Sequence, residues 1–269
     1  MTATLLLFLF VLGAIVGSFL NVFVLRRNTG KGLSGRSICP SCGHILPSSH
    51  LIPIFSFLAL GGRCHFCHTR ISFIYPAVEL GTGLIFLLIG VFFPPVSSST
   101  LALFVVAIVF WTLALAISLY DLKHTVIPNL QVFVLLLLAL SYAAIFHWGN
   151  WYGFSSSLLA GLVFALFFFL LWLVSRGRWM GLGDSKLALA LGIMVGLPKL
   201  FSAWALSFWT GAIIVLLYML FRKFSSSPGS RLSVVRKPIT MKSEIPFGPF
   251  LFLGSFLTFL GFILPLNGF

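Results

Sequence analysis

Only four acidic side chains occur in this chain of 269 residues: Glu79, Asp121, Asp184 and Glu244. Asp184 lies in "GLGDSK" (181–186), after Gly181 and Gly183 and just before Lys186. Asp121 closes the apolar run "ALAISLYD" and is soon followed by Pro128 in "VIPN". Two carboxyls brought together in a poorly solvated place can divide one proton between them. The ionised member then draws a proton from water, and the protonated member supplies one to a leaving amine. That is the chemistry of an aspartic protease. Gly181 and Gly183 would let a substrate strand come close to the backbone, and Pro128 disfavours helix at Ile127, so the chain should break after Asp121. The competing reading pairs each aspartate with a neighbouring lysine, Lys123 or Lys186. Of the two, Asp121 beside Lys123 is the candidate for the ionised member, the base. Glu79 and Glu244 are weaker candidates for chemistry, each placed to pair with a basic loop residue.

All four cysteines fall into two C-x-x-C pairs, "CPSC" (39–42) and "CHFC" (64–67), with 21 residues between them. Each pair can bite one metal through two thiolates. Together Cys39, Cys42, Cys64 and Cys67 supply the tetrahedral sulfur shell that Zn2+ takes in structural sites. Free or redox-active thiols are the alternative, and disulfides a lesser one in a reducing compartment. His44, His65 and His68 are spare donors beside a set that four cysteines already fill. A closed sulfur site has no open position for water, so its metal would fold the loop and leave the chemistry to other groups.

The elements that must position these residues are set by the solvent. A mean hydropathy of +1.12, 31 phenylalanines and repeated apolar stretches of about 20 residues exclude a water-soluble globule. In hydrocarbon each unpaired backbone amide costs several kcal/mol, and the stretches are continuous instead of alternating, so the fold class is an all-α polytopic membrane protein. Spans are expected at 3–25, 75–93, 101–120, 130–147, 155–175, 185–197, 200–221 and 246–265, about eight transmembrane helices, with the cysteine loop between the first two. The sixth is short and separated from the seventh only by "LPK", so seven spans and a re-entrant segment is the alternative. No basic residue precedes the first span, which therefore reads as a retained helix and not as a cleaved signal.

If the loops alternate sides, sixteen of the seventeen Lys and Arg fall on one side and only Lys199 on the other. This positive-inside bias puts the cysteine loop and the cytoplasmic ends of the spans bearing Asp121 and Asp184 on the same face, with both termini outside. The net charge of +13 thus reports topology and contact with anionic lipid, and gives no reason to invoke nucleic acid. The stretch 225–243 reads as a flexible cytoplasmic loop. Gly81, Gly83, Gly192 and Gly196 are small residues available either for docking a substrate helix or for packing the bundle itself. Residues 1–98 are expected to form an N-terminal membrane segment carrying the tetracysteine loop (about 26–74), and residues 99–269 a membrane-embedded catalytic core.

Six motifs in one order carry a resemblance: "GSFLNVFVLR" (17–26), the paired cysteines with "LIPIFSFLALGGRC" (51–64), "YPAVELGTG" (75–83), "DLKHTVIP" (121–128), "GLGDSKL" (181–187) and "IPFGPFL" (245–251). The chain resembles bacterial type IV prepilin peptidases nearly end to end. The resemblance implies that Asp121 and Asp184 are the catalytic pair, the second within the G-x-G-D motif shared with presenilin-type intramembrane proteases. It implies prepilin or pseudopilin substrates in the bacterial inner membrane, cut after a glycine at the cytoplasmic face. It also implies methylation of the new N-terminus with S-adenosyl-L-methionine, beside a zinc-bearing loop. The chain departs from many relatives in having no further acid near Asp121, where Lys123 and Asn129 stand instead. A transporter using the aspartates as ion relays would spread charge through the bilayer depth, a pattern this sequence lacks. A zinc-loop scaffold would use the aspartates only in ion pairs.

Overall fold

A computed structural model describes residues 2–26, 37–39, 41–225 and 246–261. Glu244, Arg27 and nearly all of the 225–243 stretch lie outside the described residues, as does the end of the span expected at 246–265. The described chain is helical: α1 (Ala3–Arg26), α2 (Phe55–Ala59), α3 (Ile74–Phe92), α4 (Ser98–His124), α5 (Asn129–Phe146), α6 (Trp151–Ser175), α7 (Leu182–Val195), α8 (Leu200–Ser225) and α9 (Gly248–Phe259). Among the described residues the only β pairing is two isolated bridges, Ile38 with Ile45 and Arg63 with Arg70.

Six of these helices are long and apolar enough to cross a membrane: α1, α3, α4, α5, α6 and α8 with its preceding turn. The remaining two expected spans are shorter. At about 1.5 Å per residue, the 14 residues of α7 reach roughly 21 Å and the 12 of α9 roughly 18 Å, against about 30 Å of hydrocarbon. Helix α7 starts three residues before the expected 185 and stops at Val195, where Gly196 turns the backbone to φ 82° and Pro198 opens a 3-10 turn.

The chain forms two compact units, Met1–Ala116 and Ile117–Phe269, with the last two turns of α4 belonging to the second. In the first unit α1 packs on α3 through small residues. A Cβ on Gly13 would lie 2.6 Å from the Thr82 carbonyl oxygen, and one on Gly83 2.8 Å from the Phe10 ring. The Asn21 amide donates to the Tyr75 carbonyl (3.0 Å), tying the end of α1 to the start of α3.

In the second unit α7 packs against α5, α6 and α9. Leu187, Ala188, Ala190 and Leu191 are wholly buried, which explains why this helix carries no polar face to read in the sequence. It meets α6 at Gly192, whose Cβ would lie 2.8 Å from Gly161 Cα, and the Ser185 hydroxyl donates to the Ala165 carbonyl (2.9 Å). Gly83 and Gly192 are therefore taken up by packing within each unit, the second of the two uses the sequence allows. Ahead of α9, Phe247 lies tilted against Phe168 and Phe208, with ring centroids 5.7 and 5.1 Å away.

Candidate active site

Asp121 stands in the last turn of α4 and is 5% exposed. Its Oδ2 accepts the backbone N–H of Gly248, the first residue of α9 (3.2 Å), and the Ser118 hydroxyl donates to the Gly248 carbonyl (3.4 Å). The α4 helix ends just beyond, where Thr125 adopts φ 53°, an unfavourable conformation for a β-branched residue. Residues 126–128 run without helical structure, and Pro128 caps the start of α5 with φ −78°, ψ 124°. The break expected from Pro128 is present.

Asp184 is the third residue of α7 and is 6% exposed. Its Oδ2 accepts the Gly181 N–H (3.2 Å), holding the turn before the helix, while its Oδ1 is buried and has no hydrogen-bond partner among the described residues. The approach to this turn is made by the left-handed Arg176 that ends α6 and by Gly177 at φ 76°. Both aspartates line one cavity of about 710 Å³ in the second unit, along with Gly181, Gly183, Lys186 and residues of the 125–129, 177–180 and 246–247 segments.

Lys186 Nζ donates to Asn129 Oδ1 (2.9 Å), so its amine ties α7 to the start of α5 instead of reaching Asp184. Gly183 lines the cavity, and a Cβ there would lie 2.8 Å from the Ile127 Cβ, so the glycine also makes room for the extended 126–128 segment. Gly181 adopts φ −78°, ψ 151°, within reach of any residue, and its contribution is the N–H it gives Asp184. Among the described residues Glu79 Oε2 accepts the Ile54 backbone N–H (2.8 Å). Gly248 was not singled out from the sequence beyond its place in "IPFGPFL". A Cβ there would lie 2.7 Å from Asp121 Oδ2, and glycine flanked by prolines in an apolar stretch was the available signal.

The four cysteine sulfurs lie within 4.8 Å of one another. They are presented by two like turns. Cys39 N–H donates to the His44 carbonyl and Gly43 N–H to the Cys39 carbonyl; Cys64 N–H donates to the Thr69 carbonyl and His68 N–H to the Cys64 carbonyl. Gly43 and His68, at equivalent places, both have positive φ. Four thiolates about 2.3 Å from a tetrahedral zinc would stand about 3.8 Å apart, and the Cys39 and Cys67 sulfurs are separated by 3.8 Å. The set could hold one metal ion.

The Thr69 hydroxyl, with help from its backbone N–H, pulls the Cys67 thiol down to about 6. The N–H of His44 favours the Cys42 thiolate, but burial and the neighbouring Cys39 and Cys67 push that thiol up to about 11. A divalent metal would supply the charge that favours the thiolate form of all four sulfurs. His44 stacks on Phe66 (4.7 Å) and His50 lies against His65 (5.1 Å), so these three histidines are in ring contacts within the loop.

Residues 11–93 match the Bacterial Peptidase A24 N-terminal domain, and residues 108–216 match the Type IV leader peptidase family. Three relatives are each named prepilin leader peptidase/N-methyltransferase. The Bacillus subtilis protein is 32% identical over 94% of this chain and 92% of its own length. The Pseudomonas aeruginosa protein is 32% identical over 93% of this chain and 88% of its own. A Burkholderia pseudomallei protein is 30% identical over 94% and 84%. No solved structure matches the chain.

Proposed function

This chain belongs to the type IV leader peptidase family, and from that premise we propose that it removes the short leader of type IV prepilins and pseudopilins and methylates the new N-terminus. One observation carries the peptidase reading: two buried carboxyls, Asp121 and Asp184, line a single cavity, and one oxygen of Asp184 has no protein partner among the described residues.

A water held between the two carboxyls loses a proton to the ionised one as its oxygen attacks the carbonyl carbon of the scissile glycine. The other carboxyl then gives its proton to the departing nitrogen as the C–N bond breaks. The Gly248 and Gly181 N–H groups orient the two carboxyls, and the Lys186–Asn129 bond holds the start of α5 against α7.

The excess of Lys and Arg in alternate loops supports a multi-pass inner-membrane protein with both termini outside and this cavity at the cytoplasmic face. A prepilin anchored by its hydrophobic helix would present its leader at that depth. The division into an N-terminal segment (1–98) and a peptidase core (99–269) belongs to the same reading, as does Zn2+ on Cys39, Cys42, Cys64 and Cys67. S-adenosyl-L-methionine would supply the methyl group, and the names of the relatives support that step.

The test is leader cleavage of a prepilin by the purified, full-length protein in detergent. Asp121→Asn and Asp184→Asn should each cut the rate by about 10²–10⁴-fold. Full activity in both variants would remove the proposed pair. Mass spectrometry of the product N-terminus, with and without the methyl donor, tests methylation separately.

A further inference from the structure

Between the cysteine turns the chain makes a short excursion that the peptidase reading does not use. A 3-10 turn (Ser48–Leu51) leads through Pro53 into α2, and α2 is two-sided. Phe57, on one side and half-buried, has its ring 6.1 Å from Phe73 and 3.0 Å from where a Gly62 Cβ would be. Phe55 and Leu58, three residues apart on the other side, are 73% and 68% exposed, and Ile52 is 51% exposed. Large apolar side chains grouped in this way mark a surface that meets something apolar.

What it meets follows from its depth. The Ile54 N–H is bonded to Glu79 Oε2, and Glu79 lies five residues into α3. Side chains on a helix lean toward its N-terminus, so α2 stands level with the first turns of a membrane-spanning helix. Ile54 takes φ 64°, ψ −52° to make that turn, a conformation costly for a β-branched residue, and the buried Glu79 stabilises it by accepting the N–H. At the start of α3, Phe73 and Ile74 are also exposed, at 72% and 55%. Beside Leu58 opens a hollow of about 380 Å³ bearing Arg63 and Arg70, cations suited to phosphate headgroups.

We propose that Ile52, Phe55 and Leu58 are embedded at the headgroup–acyl boundary of the bilayer, and that Arg63 and Arg70 bind the phosphates of anionic lipid beside them, moored by the Glu79–Ile54 bond. The excursion thereby holds the tetracysteine turns against the membrane surface. This assignment does not depend on the peptidase chemistry.

The test places a nitroxide-bearing amino acid at 55 or 58 in the full-length protein, reconstituted in nanodiscs with and without anionic lipid. Collision with oxygen and with a water-soluble nickel chelate is then measured. Reference labels at Leu84, which faces outward on α3, and at Ser98, before the membrane run of α4, give the lipid and water limits. The labels at 55 and 58 should collide with oxygen and be shielded from nickel, as at Leu84. Nickel access like that at Ser98 would overturn the proposal, and so would shielding from both reagents, which means cover by protein. Shielding that arises only when a prepilin is added would assign the surface to substrate and also overturn it. Anionic lipid should deepen the labels, and Arg63→Gln with Arg70→Gln should abolish that shift; no dependence on lipid charge would overturn the headgroup contact.

Discussion

Gly248 cannot acquire a side chain without touching Asp121: the nearest carboxylate oxygen is 2.7 Å from the position a Cβ would take, and the same residue supplies the N–H that orients that carboxylate. Gly248→Ala should therefore displace the Asp121 carboxyl and lower kcat for leader cleavage by up to about 100-fold, since misplacing a catalytic group by about 1 Å has that cost. The loss in stability should be about 1–3 kcal/mol, the usual result of overfilling a packed site. Single-turnover cleavage and thermal unfolding of the same preparation separate the two effects. The pH profile also belongs to this scale. If one proton is divided between Asp121 and Asp184, low pH protonates both and removes the base, while high pH ionises both and removes the acid. Cleavage should fall on either side of a maximum, with limits that belong to the pair. A rate constant from mild acid to strong alkali would contradict the shared proton.

Among the elements, the cysteine turns show most directly how local pattern becomes structure. Two C-x-x-C pairs dictate two like turns because each backbone must fold back to aim both sulfurs at one point, and the paired positive-φ residues Gly43 and His68 do this. The protein prepared without chelators should carry about one zinc per chain. Cys39→Ser with Cys64→Ser should abolish it, and stripping the metal should make the 37–73 region susceptible to proteolysis, because binding energy of this kind is folding energy. Helix α7 illustrates what pattern misses. Its existence was legible from the run after "GLGDSK", but its start at Leu182 and its enclosure by α5, α6 and α9 were not, because a helix apolar on all sides has no periodicity to mark its neighbours. Likewise the presence of glycines in α3 and α7 was plain, while their use in packing against Phe10 and Gly161 depended on which helix came alongside.

For the whole molecule, charge predicts orientation. With the cavity at the cytoplasmic face, a membrane-impermeant label should react in right-side-out vesicles with a tag placed between α3 and α4, at residues 94–97. It should react with a tag in the 225–243 stretch only in inverted ones. The reverse pattern would refute the positive-inside assignment.

The sequence by itself determined the helical membrane bundle, the four-sulfur set and the two aspartates worth watching. Hydropathy, ligand type and the scarcity of acids are properties of short stretches and need no neighbour to be read. Only the tertiary structure decided the partners: the N–H of Gly248, 127 residues away, for Asp121; Asn129 for Lys186; Ile127 for the space at Gly183; Ile54 for Glu79. Each of these depends on how one helix end meets another. That meeting is fixed by side-chain packing across the bundle and leaves no trace in the local order of residues.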